Sequence, residues 1–287
     1  MRIALINSGL GLLAPAAALH RLRPDADLVL APDPDGMPWG PRTPDDIAAR
    51  ALLCARATLR YQPDVLVMAC NTGSVHALEA MRAAFEPDIP VVGTVPAIKP
   101  AAASHGKVAI WATVATSESA YQRRLIAEFG GSAEVTPVAC PGLADAVDAG
   151  DQAATAAAVT AGAARTPAGC EAVVLGCTEY ELAADQISLA VPGAVTFSSA
   201  AAVAAQALRR ASATSPAPAT TSPGRLEVAG SPTGGAPAGR VGTVRVLLSG
   251  RPSPLPPAAL RYPEGRLLAP LVVVDDHEPM AGSAASA

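Results

Sequence analysis

Short, mostly apolar runs punctuate the chain at residues 2–6 (RIALI), 28–31, 65–69, 91–93, 107–112 (KVAIWA), 134–139, 172–175 (AVVL) and 194–197. Most of these runs are Val-, Leu- or Ile-rich and lie beside Gly, Pro, Asn, Asp, Ser or Cys. Runs of this length predict buried parallel strands. The segments between them carry helical spacing instead, as with Leu12, Leu13, Ala16 and Leu19. Helices are predicted over 12–23, 44–60, 74–85, 96–104, 119–129, 144–164 and 200–210. Thr43 reads as an N-cap with Pro44 at the first helical position, and Asp45 and Asp46 suit the positive end of that helix.

Strand and helix alternate throughout, so the fold class is α/β, with parallel sheets flanked by helices. The elements divide into two pseudo-symmetric lobes with a cleft between them. The first takes 1–95 plus about 196–210, and residues 241–275 add strands 244–248 and 271–274 at its edge. The second takes 96–195. The Pro/Ala/Ser/Gly-rich stretch 211–240 reads as a linker, and 276–287 as a disordered tail.

Composition narrows the function. Half of the residues are hydrophobic but only 3% are aromatic, and the net charge is −4 without a basic run. Nucleic acid is thereby an unsuitable partner. No apolar stretch is long enough for a membrane span, and the amino terminus carries no cleavage-like site; the expectation is a cytoplasmic protein. The five cysteines are an odd number and lack C-x-x-C spacing, which disfavours a disulfide framework or a zinc site. His20, His76, His105 and His277 show no ligand spacing either, so no metal is expected.

Two of the apolar runs end alike, 65–74 (VLVMACNTGS) and 172–180 (AVVLGCTEY), each delivering a cysteine to a strand's carboxyl end. Open α/β sheets place their ligand crevices there. A thiolate at the amino end of a helix is a competent base, and a thiol is a competent acid. Cys70 and Cys177 facing one substrate carbon would take a proton from one face and return one to the other. Ser8, Asn71, Thr72 and Thr178 would hold an amino acid's carboxylate and amine. Either cysteine alone reads more simply as a buried core residue.

With these residues in place, the chain resembles the glutamate racemases and the wider aspartate/glutamate racemase superfamily over about 2–210. The resemblance rests on Asn7-Ser8-Gly9 with Gly11, Pro38-Trp39-Gly40, Ala69-Cys70-Asn71-Thr72, Thr113-x-x-Thr116-x-x-Ser119-x-Tyr121, Ala139-Cys140-Pro141 and Leu175-Gly176-Cys177-Thr178, in the family's order and spacing. It implies a cofactor-independent racemase interconverting L- and D-glutamate, with Cys70 and Cys177 as the opposed bases. It further implies that Asn7 and Glu179 assist them, and that Ser8, Pro38, Trp39, Gly40, Asn71, Thr72, Thr113, Thr116 and Thr178 bind substrate. The product would be D-glutamate for peptidoglycan, and the family's common assembly is a homodimer.

The chain departs from the glutamate racemases at three of these positions. Asn7 replaces an acid, Trp39 a tyrosine, and Glu179 a histidine. A Cys-Thr-Glu sequence resembles the aspartate racemase branch, making aspartate or broader specificity the alternative. A rival from another class is an NAD-dependent oxidoreductase, because Gly9-Leu10-Gly11-Leu12-Leu13-Ala14 fits G-x-G-x-x-A and Asp33 follows the second strand. Pyridoxal phosphate would need Lys99 or Lys107, the only lysines. A non-catalytic binding protein would keep the cleft while dispensing with one thiol.

Overall fold

The structure, a computed structural model, describes residues 1–214 and 240–274. Its strands are β1 (Arg2–Asn7), β2 (Asp27–Pro32), β3 (Val65–Met68), β4 (Val91–Gly93), β5 (Lys107–Ala112), β6 (Glu134–Ala139), β7 (Ala172–Leu175), β8 (Val195–Phe197), β9 (Val244–Leu248) and β10 (Arg251–Ser253). They form two sheets, ordered β10-β9-β2-β1-β3-β4 and β6-β5-β7-β8. Within each set the first strand is central, the second pairs on one side and the third on the other. The winding 2-1-3-4 thus recurs as 6-5-7-8. All pairings are parallel except β9 with β10.

The central strands are apolar because helices cover both faces. Every residue of β3 and β7 is buried. Leu5, Leu30, Val67 and Leu13 share one core with Trp111, Val173, Leu175 and Tyr180, so the cores of the two sheets are continuous. At roughly 1.5–3 kcal/mol for each large side chain removed from water, this joint core holds the two sheets together.

Several boundaries differ from the sequence expectation. The predicted helix 144–164 is two helices, Leu143–Ala149 and Gln152–Arg165. Gly150 breaks it at φ 67°, and Asp151 caps the second helix by accepting from Ala153 N and Ala154 N. The predicted helix 74–85 starts earlier, at Asn71, and is interrupted at Ala77. β8 pairs with β7, so the second set extends through Phe197 rather than stopping at 195. The following helix, Ala200–Thr214, runs beyond 210 into the predicted linker. Residues 271–274 are not a strand: a 3-10 turn, Ala269–Leu271, precedes one bridge between Val244 and Val272. The rest of the predicted linker to residue 239, and the predicted tail, lie outside the described residues. No helix among those described is long and apolar enough to cross a membrane.

Candidate active site

Cys70 lies two residues beyond β3 and Cys177 two residues beyond β7, the third strand of each set. The repeated winding therefore carries both thiols to matching places, and both line one cavity of about 430 Å³. Ser8 enters from the end of β1 and Thr113 from the end of β5. Pro38, Trp39 and Gly40 form a wall contributed by the loop after β2, and Thr72 and Glu179 complete the predicted lining.

Four other predicted residues are absent from that lining. Asn7 is fully buried; its amide nitrogen donates to Ala69 O at 2.6 Å and to Thr178 Oγ1 at 3.2 Å. Its oxygen accepts from Ser8 Oγ and Gly9 N. Asn7 is thus a fixed brace between the two cysteine segments. Thr178 is buried and donates to Glu179 Oε2. Thr116 sits behind Thr113, whose hydroxyl donates to Thr116 Oγ1 at 3.0 Å and accepts from Thr116 N. Asn71 is buried, and neither polar atom of its amide has a partner among the described residues.

The two thiols have different surroundings. Cys70 caps the helix Asn71–His76, and its sulfur accepts from Gly73 N at 3.4 Å with Ser8 Oγ 3.8 Å away. Burial, then the Glu179 charge, push this thiol up to about 12, against the help of those donors. Cys177 precedes a 3-10 turn, Glu179–Ala183, and not an α-helix, so the expected support from a helix amino terminus is missing there. Its sulfur instead donates to Glu179 Oε2 at 2.8 Å. Burial and the adjacent carboxylate raise Cys177 well above the usual thiol range. The resting state at neutral pH is a thiol on each side.

The sequence reading missed several lining residues, notably Met37, Cys140, Asp145 and Asp148. Asp148 matters most. Its carboxylate accepts from Leu10 N at 2.6 Å, and burial followed by the Glu179 charge raises it well above the ordinary carboxylate range. The sequence hid it: only because the helix stops at Gly150, and not at 164 as predicted, does Asp148 fall in a last turn, against the negative end of a helix. Cys140 is buried and donates to Val138 O while also lining the cavity.

The Gly9-x-Gly11 turn serves close packing. A Cβ on Gly9 would run into the Asp148 carboxylate, and one on Gly11 would meet Thr178 Oγ1 and lie 2.7 Å from Glu179 Oε1. Carboxyl groups thus stand where a dinucleotide's phosphates would need N–H donors. Asp33, the would-be ribose ligand, already accepts from Trp39 Nε1, Arg50 and Ser249 Oγ. These residues do not fit the NAD reading. Lys99 and Lys107 are exposed and not among the lining residues, so neither fits a Schiff base. No cluster of metal-ligating side chains occurs among the described residues.

Comparison with known proteins agrees with this arrangement. A glutamate racemase from Sphingopyxis alaskensis is 41% identical over 150 residues, which is 51% of this chain and 55% of that protein. The chain spans about half the length of the curated relatives it matches. Escherichia coli glutamate racemase, solved with L-glutamate and the activator UDP-MurNAc-Ala, aligns over 91% of each chain with TM-score 0.70 and 25% identity. The Thermus thermophilus glutamate racemase, solved with beta-chloro-D-alanine, covers 94% of this chain and 91% of its own, with TM-score 0.64 and 26% identity. The profile of the Asp/Glu/Hydantoin racemase family matches residues 12–208, well over half of the chain, and the protein belongs to that family.

Proposed function

We propose that this protein is a glutamate racemase that inverts the α-carbon with two thiols and no cofactor. The observation that carries the reading is the pair Cys70 and Cys177, delivered by equivalent strands of two equally wound sheets to one cavity. One sulfur, as thiolate, removes the α-proton from one face of the substrate. The other, as thiol, returns a proton to the opposite face. The roles exchange for the other enantiomer, so each turnover leaves the enzyme ready for the reverse reaction.

Both thiols rest protonated, so a base must be generated on each side. For Cys177 the hydrogen-bonded Glu179 carboxylate is placed to accept the thiol proton, which also removes the negative charge that opposes the thiolate. For Cys70 the proton leaves to solvent through the cavity, and Gly73 N–H, the Ser8 hydroxyl and the helix Asn71–His76 stabilise the thiolate left behind with partial positive charge. Ser8, Thr72 and Thr113, which line the cavity, supply donors for substrate carboxylates. Asn7, Thr116 and Thr178 act from behind, holding those groups in place. By analogy with the family, the product would be D-glutamate for peptidoglycan, made in the cytoplasm by a homodimer; sedimentation reads the last point.

Aspartate is the second reading, favoured by Glu179 in the Cys-Thr-Glu sequence. The test is racemisation of each amino acid by the purified full chain without added cofactor, followed by chiral chromatography. Turnover of glutamate above aspartate supports the first reading. Turnover of aspartate alone supports the second, and inversion of neither overturns both.

A further inference from the structure

Residues 240–274 lie beyond the segment matched by the family, yet they touch both walls of the cavity. On the first side, the turn after β9 grips the loop that follows β2 at three points. Ser249 N donates to Pro32 O at 2.9 Å, Ser249 Oγ donates to Asp33 Oδ1 at 2.8 Å, and Asp35 N donates to Ser249 Oγ at 3.1 Å. Asp33 in turn accepts from the indole of Trp39, which is 1% exposed and lines the cavity. Ser249 holds a left-handed backbone, φ 45°, which aims its hydroxyl at this loop.

On the second side, the same segment reaches the helix that carries Asp148. The buried Tyr262 donates its hydroxyl to Val147 O at 2.7 Å, one residue before Asp148. Gly150, just past that helix, has its Cα hydrogens against Ala258 and Arg261, where an added Cβ would come within 3.2 Å of Ala258. Between the two contacts, Leu248 and Pro256 line a smaller cavity of about 140 Å³ together with Met37 and Asp148, one from each wall. Ser8, Met37 and Asp148 belong to both cavities.

We propose that the segment from Leu248 to Tyr262 is a strap across the active-site cleft, with Ser249 positioning the Trp39 wall and Tyr262 positioning Asp148. Neither residue touches the main cavity; each acts through the backbone or side chain it holds. The inference rests on the two-thiol reading for its kinetic part only, because the geometry of the strap exists without substrate.

The experiment compares wild type, Ser249→Gly and Tyr262→Phe, all as full chains. Glycine removes the hydroxyl while accepting the left-handed backbone, and phenylalanine removes one hydroxyl from a filled site, so both variants keep their packing. Hydrogen exchange followed by mass spectrometry is the first readout. Ser249→Gly should speed exchange in peptides covering 33–42, and Tyr262→Phe in those covering 8–12 and 143–150, several-fold in each case and each without the other. The second readout is steady-state racemisation. Ser249→Gly should raise KM about threefold or more at nearly constant kcat, and Tyr262→Phe should lower kcat and move the acidic limb of its pH profile. Unchanged exchange in those peptides overturns the strap. Faster exchange with unaltered KM, kcat and pH profile overturns its positioning role. A wild type that racemises no amino acid overturns the functional reading instead, and leaves the strap to be decided by hydrogen exchange.

Discussion

The two ends of the repeated winding are alike in strand order and unlike in local turn and charge. At Cys70 the sulfur meets an N–H, a hydroxyl and the amino end of a short helix. At Cys177 it meets a carboxylate at 2.8 Å, whose charge also raises the buried Asp148. On the proposed mechanism a thiolate forms at the first by losing its proton to solvent beside partial positive charge, and at the second by handing its proton to Glu179. The lesson is that a duplicated fold supplies opposed positions for two acids or bases, while unrelated local residues tune each one.

The account is broken most severely at the sulfurs. Cys70→Ala and Cys177→Ala should each lower racemisation by about 10³-fold or more, since no neighbouring group can take over at the same face. Circular dichroism should show the fold retained. Glu179→Gln comes next, with an expected loss in kcat/KM on the order of 10²-fold. Enantiomers have equal free energy in water, so that loss must be the same from either direction. The asymmetry appears elsewhere: the enantiomer deprotonated by Cys70 should exchange its α-hydrogen with D2O ahead of inversion, and the other should not. Equal behaviour of both would remove Glu179 as the partner of Cys177.

The same variant sharpens the electrostatic part. Glu179 raises both thiols, so replacing it by a neutral amide lowers both, and iodoacetamide should alkylate Cys70 and Cys177 at lower pH than in wild type. More thiolate with slower racemisation would separate the carboxylate's role as proton acceptor from its cost to ionisation. Unaltered alkylation would mean that the charge does not reach the sulfurs.

The smallest effect concerns stability. Burial opposes the charge of Asp27, but hydrogen bonds from Arg240 and Thr243 outweigh it and lower the carboxyl to about 2. A folded value below the unfolded one means that this stabilisation is present above about pH 4 and is lost as the pH falls through about 2. Arg240→Ala should lower Tm slightly at pH 7, the effect being small because the Arg240 side chain is exposed. The difference from wild type in Tm should shrink towards pH 2, and a constant difference would assign the effect to packing.

Much of the fold was legible because it rests on uninterrupted apolar runs such as 65–69 and 172–175, which only a buried strand explains. The thiols were legible for the same reason, since each ends such a run. Helix breaks were harder: Gly150 and Ala77 interrupt segments whose apolar spacing continues across them. The edge of the first sheet was half legible. β9, Val-Arg-Val-Leu-Leu, is mostly apolar, but β10, Arg-Pro-Ser, has no strand composition and forms because β9 offers an open edge. Asp148 and the strap residues escaped notice because their roles depend on contacts across more than 100 residues of chain, as between Leu10 and Asp148 or between Val147 and Tyr262.

The central claim is that two bases act on opposite faces, and the first turnovers in D2O test it directly. L-glutamate and D-glutamate carrying ordinary α-hydrogen are each incubated with the enzyme, and both pools are resolved and analysed for α-deuterium before a tenth has reacted. The account predicts product that carries deuterium and residual substrate that keeps its hydrogen, from either direction. Product that retains the substrate's own α-hydrogen would mean a single base returning the proton it removed, and would contradict the assignment of Cys70 and Cys177 as a pair.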